Sequence, residues 1–141
     1  MYLIAAESSN SLIEDLPIPR SSCELVRFET DQLPFRIPGM SDVMPYSHSR
    51  FRDMTENELL RYREAFSDAI LKSIERFRPD ILHCHHLWIV TSLAAQICSS
   101  IPVVATCHGT DLRQMALLPR QAEHVLEGCR SLKRIMAPTK A

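Results

Sequence analysis

This sequence of 141 residues has no excess of one charge, no long apolar run and no paired-cysteine motif. Its formal net charge of -1 leaves it without the basic surface that nucleic-acid binding requires. No apolar stretch reaches the roughly 18 residues of a membrane span, and the N-terminus has neither the basic segment nor the apolar length of a signal peptide. The sequence therefore predicts a cytoplasmic protein with no membrane span and no nucleic-acid partner; a peripheral membrane contact stays open.

The cysteines support the same compartment. There are five of them, an odd number, and no two form a CxxC pair. This pattern is typical of reduced, buried thiols and not of a disulfide framework.

Length and hydrophobicity fit one ordinary globular domain over residues 1–141. The hydrophobic fraction of 45% is enough to bury a core at this length. A long irregular segment, from about Thr30 to Met54, is too apolar for a disordered linker, so we expect it to pack along the rim of the domain.

Short β-branched runs alternate with helical patterns along the chain. Thr55 and Glu58 form a capping-box pattern, which predicts that a long amphipathic helix begins there and ends before Pro79. Further helices are predicted at about 87–99 and 119–131. Strands are predicted at Met1–Ala6, Cys23–Phe28, Asp80–His86, Val103–Cys107 and Arg134–Ala137. Such alternation predicts an α/β fold with a parallel sheet flanked by helices.

Two of these strands end in residues suited to ligand binding. One ends at His85 and His86, and the next is followed by His108, Gly109 and Thr110. Because ligands of open parallel sheets bind at the carboxyl ends of the strands, the sequence predicts one half of a binding cleft there.

Each histidine of the first strand has a structural and a functional interpretation. His83 lies inside the predicted strand, so we expect a core histidine whose hydrogen bonds are satisfied. His85 and His86 lie at the strand end, where both interpretations stay open. A zinc site of His83, His85 and His108 is a weaker alternative, because no carboxylate or cysteine is placed to complete a tetrahedron.

The residues after the second strand have paired interpretations too. Gly109 favours a positive φ or a close approach of the backbone to a ligand. Thr110 and Asp111 either bind a ligand or cap the following turn. Arg113 is either solvated or faces an anionic group, and Trp88 is either a core residue or a stacking surface for a ring.

The segments Arg78–Trp88 and Ile101–Asp111 resemble the N-terminal domain of GT-B glycosyltransferases of the family 4-like group. The shared pattern is Pro-Asp, a short strand ending in His-x-His, a helix, and Pro-Val-Val before His-Gly-Thr-Asp. The resemblance implies a Rossmann-like domain that binds mainly the sugar acceptor and faces a C-terminal domain that holds a nucleotide-sugar donor. It also implies retention of anomeric configuration, with no metal in the site, and we expect no other cofactor.

The resemblance further implies roles for individual residues. His108 is the expected catalytic residue, hydrogen-bonding the transferring sugar or the donor phosphate. The expected substrate-binding residues are His85, His86, Gly109, Thr110, Asp111 and Arg113.

Two departures from the resembling family lead to further expectations. The Gly-rich turn after its first strand is missing, because Gly39 is the first glycine here, and its donor domain is missing as well. We therefore expect a fragment whose sheet begins at the second strand and which is inactive alone. One alternative is a non-catalytic α/β sugar- or phosphate-binding module that pairs with a separate donor-domain chain through the segment Phe35–Phe51; the second is a histidine-based metal hydrolase.

Overall fold

The computed structural model describes residues 1–10 and 15–138. The chain divides into two compact units, residues 1–78 and residues 79–141. Whether residues 1–141 act as a single domain stays a prediction.

The first unit contains two pairs of parallel strands. Strand β1 spans Leu3–Ser8 and pairs along its whole length with β2, Cys23–Phe28, in the register Leu3 opposite Cys23. Two shorter strands, β3 at Pro38–Gly39 and β4 at Ser49–Arg50, form the second pair. The predicted strands of this unit are confirmed, with β1 shifted by two residues.

Helix α1 spans Glu56–Phe77, and both of its ends follow from local sequence. The hydroxyl of Thr55 accepts a hydrogen bond from the Glu58 backbone N–H at 3.2 Å, and the Glu58 carboxylate accepts one from the Thr55 N–H at 2.7 Å. This capping box satisfies two donors that a helix start leaves unpaired. At the other end, Arg78 takes a left-handed conformation with φ of 50°, which stops the helix directly before Pro79.

An aromatic cluster fills the space between β2 and α1. Phe28 is fully buried, and its ring lies 6.1 Å from that of Tyr62 and 6.4 Å from that of Phe66. Leu33 and Phe51, from the long irregular segment, are buried as well. These residues confirm that the segment packs against its unit and is not a disordered linker.

The second unit is a three-stranded parallel sheet with helices between its strands. The strands are β5 at Leu82–His85, β6 at Val103–Thr106 and β7 at Arg134–Met136; the helices are α2 at Ile89–Ile97, α3 at Gly109–Leu117 and α4 at Pro119–Gly128. The strands lie in the order β5-β6-β7, and His83 of β5 is in register with Val104 of β6. The chain is therefore an α/β protein with parallel strands flanked by helices, a Rossmann-like architecture.

One element departs from the sequence-based expectation. Residues after His108 were expected to form a turn, whereas Gly109–Leu117 form helix α3. The expected helix 119–131 is confirmed in part, because its last residues, Cys129–Ser131, form a single 3-10 turn. In the described ranges, no helix combines the length and the apolar character needed to cross a membrane.

Candidate functional site

The carboxyl ends of β5 and β6 lie side by side, as expected for neighbouring parallel strands. Pairing continues one residue beyond β5, because the His86 N–H donates to the Thr106 carbonyl at 3.0 Å. His86 itself adopts a left-handed conformation with φ of 70°. That conformation is uncommon for a residue with a side chain, and it turns the chain sharply out of the strand.

The Asp111 carboxylate links these two strand ends through hydrogen bonds. Its carboxylate accepts hydrogen bonds from His86 Nδ1 at 2.8 Å, from the Leu87 N–H at 2.7 Å and from the His108 N–H at 2.8 Å. The first two donors follow β5 and the third follows β6. The residue is 0% exposed, so this carboxylate contacts its neighbours and not solvent.

The pKa of Asp111 reflects two opposing effects. Burial by itself raises the pKa of the carboxyl group, because it disfavours the charged form. The hydrogen bonds from His86, His108 and Leu87 outweigh that effect and lower the pKa below 3.8. Asp111 is therefore ionised at neutral pH, and it serves as the anionic anchor of the site.

Four histidine rings form a continuous cluster at this edge of the sheet. The ring centroids of His83 and His85 are 4.7 Å apart, those of His85 and His108 are 5.9 Å apart, and those of His86 and His108 are 4.7 Å apart. We call these four residues the histidine cluster. His85 is exposed, whereas His86 and His108 are half-buried, so the cluster opens to solvent on the side of His85.

Hydrogen bonding fixes what His86 and His108 offer to a ligand. A carboxylate only accepts hydrogen bonds, so His86 Nδ1 carries a proton, and Nε2 is the ring nitrogen that Asp111 does not engage. His108 Nε2 is shielded from solvent and hydrogen-bonds to no described residue. Buried polar atoms are nearly always paired, so this nitrogen is an exception that calls for an explanation.

The pKa of His85 is lowered from 6.5. Partial desolvation is the largest cause, and the neighbouring rings of His83, His108 and His86 add to it, since each protonated ring disfavours another. At pH 7 His85 is therefore mainly neutral, and its ring offers hydrogen bonds and not a positive charge.

Two interpretations from the sequence are now resolved. The expectation that His83 is a core histidine is wrong: its side chain is exposed, on the same face of the sheet as His85, although Nε2 does bond Thr106 Oγ1 at 2.8 Å. Trp88 is 3% exposed, which confirms that it is a core residue and not a stacking surface.

The remaining predicted residues occupy the start of α3. Gly109 does not have a positive φ, which excludes one of its two interpretations; the close approach of a ligand stays a prediction. A Cβ added at Gly109 would meet no atom within 4 Å, so the space beside this residue is open. Thr110 is half-buried beside it, and Arg113 lies exposed one turn further along α3.

The zinc alternative finds no support in this geometry. Within residues 1–10 and 15–138, no group of three or more His, Cys, Asp or Glu side chains is arranged to hold a metal ion.

Two residues of the site escaped the sequence analysis. Thr106 positions His83, and the hydroxyl of the buried Thr91 donates to the His86 carbonyl at 2.5 Å. Both threonines lie within apolar runs, where β-branched residues are expected for packing alone. A polar residue at the last position of a strand was the one available signal for Thr106.

Comparison with known proteins agrees with this geometry. The family model of Glycosyltransferase Family 4 matches residues 29–141, which include both strand ends, the histidine cluster and α3. No curated protein matches the chain. The matched range covers most of the sequence, and we conclude that the chain belongs to glycosyltransferase family 4.

Proposed function

We propose that this chain provides the acceptor-side wall of a retaining glycosyltransferase site, in which His108 hydrogen-bonds the transferring sugar or the donor phosphate. The observation that carries the proposal is His108 Nε2, a shielded nitrogen with no partner in the described residues. It lies directly before the first residue of α3, where a helix offers unpaired N–H groups to a ligand.

Helix α3 supports a place for the donor phosphate. The first-turn N–H groups and the helix dipole favour negative charge at this end. A diphosphate gains charge as the sugar leaves it, and donors held in advance at that position stabilise the transition state. Membership of the family supports the retaining course of the reaction.

The rest of the cluster is suited to sugar hydroxyl groups. The neutral His85 ring, the Nε2 atom of His86 and the Thr110 hydroxyl together offer both donors and acceptors. Arg113 is proposed to face an anionic part of the acceptor or donor. Asp111 is proposed to act by orienting His86, since its buried carboxylate is already fully engaged.

We further propose that these 141 residues bind ligand without transferring sugar. The cluster opens to solvent at His85, whereas sugar transfer needs a site from which water is excluded. The five free cysteines support a cytoplasmic setting.

Gly109→Ala offers the sharpest test of the proposal. A methyl group fits there without contacting the protein, and alanine favours a helix more than glycine does. We therefore expect unchanged or slightly raised thermal stability together with weaker binding of uridine and guanosine diphosphate sugars, measured by isothermal titration calorimetry.

Two further variants identify the group that binds. His108→Ala should abolish binding, whereas His124→Ala, which removes an exposed histidine on α4, should leave it unchanged. Binding that survives both Gly109→Ala and His108→Ala would disprove the proposal, and turnover by the purified chain would disprove its inactivity.

A further inference from the structure

The first unit has a groove that is lined by none of the residues proposed to bind sugar. It has a volume of about 640 Å³ and runs beside β2, between that strand, α1 and the residues after β2. Its charged lining residues are three acids and three bases: Glu24, Asp31, Asp68, Arg20, Arg27 and Lys72. A groove with balanced charge favours neither a simple anion nor a simple cation.

The groove lies along an open strand edge. Among the described residues, β2 pairs with β1 alone. The Phe28 carbonyl accepts from the Ser9 N–H at 3.0 Å, so Phe28 directs its backbone groups toward β1. Backbone groups alternate in direction along a strand in a parallel pair. Those of Leu25 and Arg27 therefore point into the groove, where they can pair with another strand.

An ion pair with a buried carboxylate keeps this edge accessible. The Glu7 carboxylate, which is fully buried on β1, binds Arg27 Nε at 3.0 Å and Arg20 at 2.8 Å. The Arg27 side chain is thereby drawn toward β1 and away from the open edge. Charged side chains commonly block edge strands, but here the nearest guanidinium group is held back.

Helix α1 contributes two opposite charges to the groove, and a twofold axis would pair them between two copies of the chain. Asp68 and Lys72 are exposed, lie one turn apart and both line the groove. Neither takes part in an ion pair with any residue that the structure describes. Two copies of α1 running in opposite directions about a twofold axis would place Asp68 of each copy opposite Lys72 of the other.

We infer that this groove is the interface of a symmetric dimer, in which β2 of one copy pairs antiparallel with β2 of a second copy. A twofold interface must be complementary to itself, and the opposite charges of Asp68 and Lys72, exposed one turn apart on α1, meet that condition. A strand from an unrelated protein would need a separate match to both charges. The inference is independent of the proposed sugar site.

Charge reversal on the full chain tests the inference. We expect a concentration-dependent dimer by sedimentation, with Kd below about 1 mM. Asp68→Lys and Lys72→Asp should each raise Kd at least about tenfold, because each creates two like-charge contacts across the axis. The double variant Asp68→Lys/Lys72→Asp should restore the dimer, and an equimolar mixture of the two single variants should form a heterodimer.

Several results would overturn the inference. They are a monomer at all concentrations, a dimer that neither single reversal weakens, and a double variant that stays monomeric while folded by circular dichroism. Glu64→Lys, on the same helix but outside the groove, is the matched control and should leave Kd unchanged.

Discussion

Asp111 shows how one residue can organise a site that it does not expose to a ligand. Its carboxylate accepts from a side chain and two backbone groups that follow two different strands. Removing a buried charged acceptor leaves each of those donors without its partner. The free energy of unfolding then falls by more than a single hydrogen bond contributes. A substitution at Asp111 is therefore expected to lower stability directly and to affect ligand binding only through that change in structure.

Asp111→Asn should lower the free energy of unfolding by about 2–4 kcal/mol. An amide has one oxygen for three donors, and its own NH₂ group faces N–H groups. Urea denaturation monitored by circular dichroism measures the change. Asp80→Asn, at an exposed position, should change stability by less than about 0.5 kcal/mol; equal effects of the two variants would contradict the role given to Asp111.

The lowered pKa of Asp111 sets the direction of its pH dependence. Its stabilising effect is complete above the unfolded value of 3.8 and is lost as pH falls through the lower pKa of the folded protein.

His85 affects stability at higher pH than Asp111 does. Because its folded pKa is below 6.5, the unfolded chain binds its proton first, and stability falls as pH drops below 6.5.

A proton-NMR titration of the His85 ring should therefore give a midpoint below 6.5. In the variant His83→Ala the midpoint should move upward, since one of the neighbouring charges that disfavour protonation is gone. A wild-type midpoint above 6.5 would mean that the ring is stabilised in its charged form, contrary to the geometry.

At the scale of elements, the helix α1 has its strongest local determinant at its first turn. Both halves of the capping box are formed, and the residues involved are exposed or half-buried, so their contribution is separable from the core. A substitution at Thr55 therefore measures the contribution of this N-terminal cap to stability separately from that of the core.

Thr55→Ala should lower the free energy of unfolding by about 1 kcal/mol, because the Glu58 N–H loses the hydroxyl that accepts its hydrogen bond. Thr55→Ser keeps the hydroxyl and should retain most of that stability. Thermal and urea unfolding of both variants gives the comparison, and an alanine variant as stable as the serine variant would show that the cap contributes nothing.

Elements marked by periodicity and caps were predictable from sequence, whereas α3 was not. The spacing of apolar residues and the capping box located α1 to within a residue of Glu56–Phe77. Helix α3 opens with Gly109 and Thr110, both weak helix formers, and it is stabilised by Asp111 through bonds to groups 3 and 24–25 residues earlier in the chain. No local pattern contains those partners.

The candidate site was predictable to the same extent. Parallel topology placed the two strand ends together, which brought His85, His86 and His108 into one cluster. Exposure of individual residues was not predictable, because burial depends on the elements packed against each face. His83 was expected inside and is exposed, while Asp111 was expected at the ligand and is buried.

At the scale of the whole molecule, the five cysteines are free thiols distributed over both units. Cys23 lies in the first unit and the other four lie in the second, and none forms a disulfide. Burial raises the pKa of Cys84 and of Cys129 to about 11 each. Since the thiolate is the reactive form, both thiols should be slow to react at neutral pH.

Native protein at pH 7 should therefore leave Cys84 and Cys129 largely unmodified by iodoacetamide over a time in which denatured protein is alkylated at all five positions. Mass spectrometry of the digested protein measures each site separately. Rapid modification of Cys84 in the native state would mean that the inner face of the β5-β6-β7 sheet is accessible.

Because of the hydrogen bonds of Asp111, the site also forms only when both strand ends have folded. The groups that they join come from segments separated by a helix and a strand, so the cluster cannot assemble in a chain that has formed only one of the two strand ends. A ligand that recognises the cluster selects the fully folded second unit and adds RT ln(1 + [L]/Kd) to its stability. Thermal unfolding with and without ligand would then be a binding assay that needs no catalytic turnover.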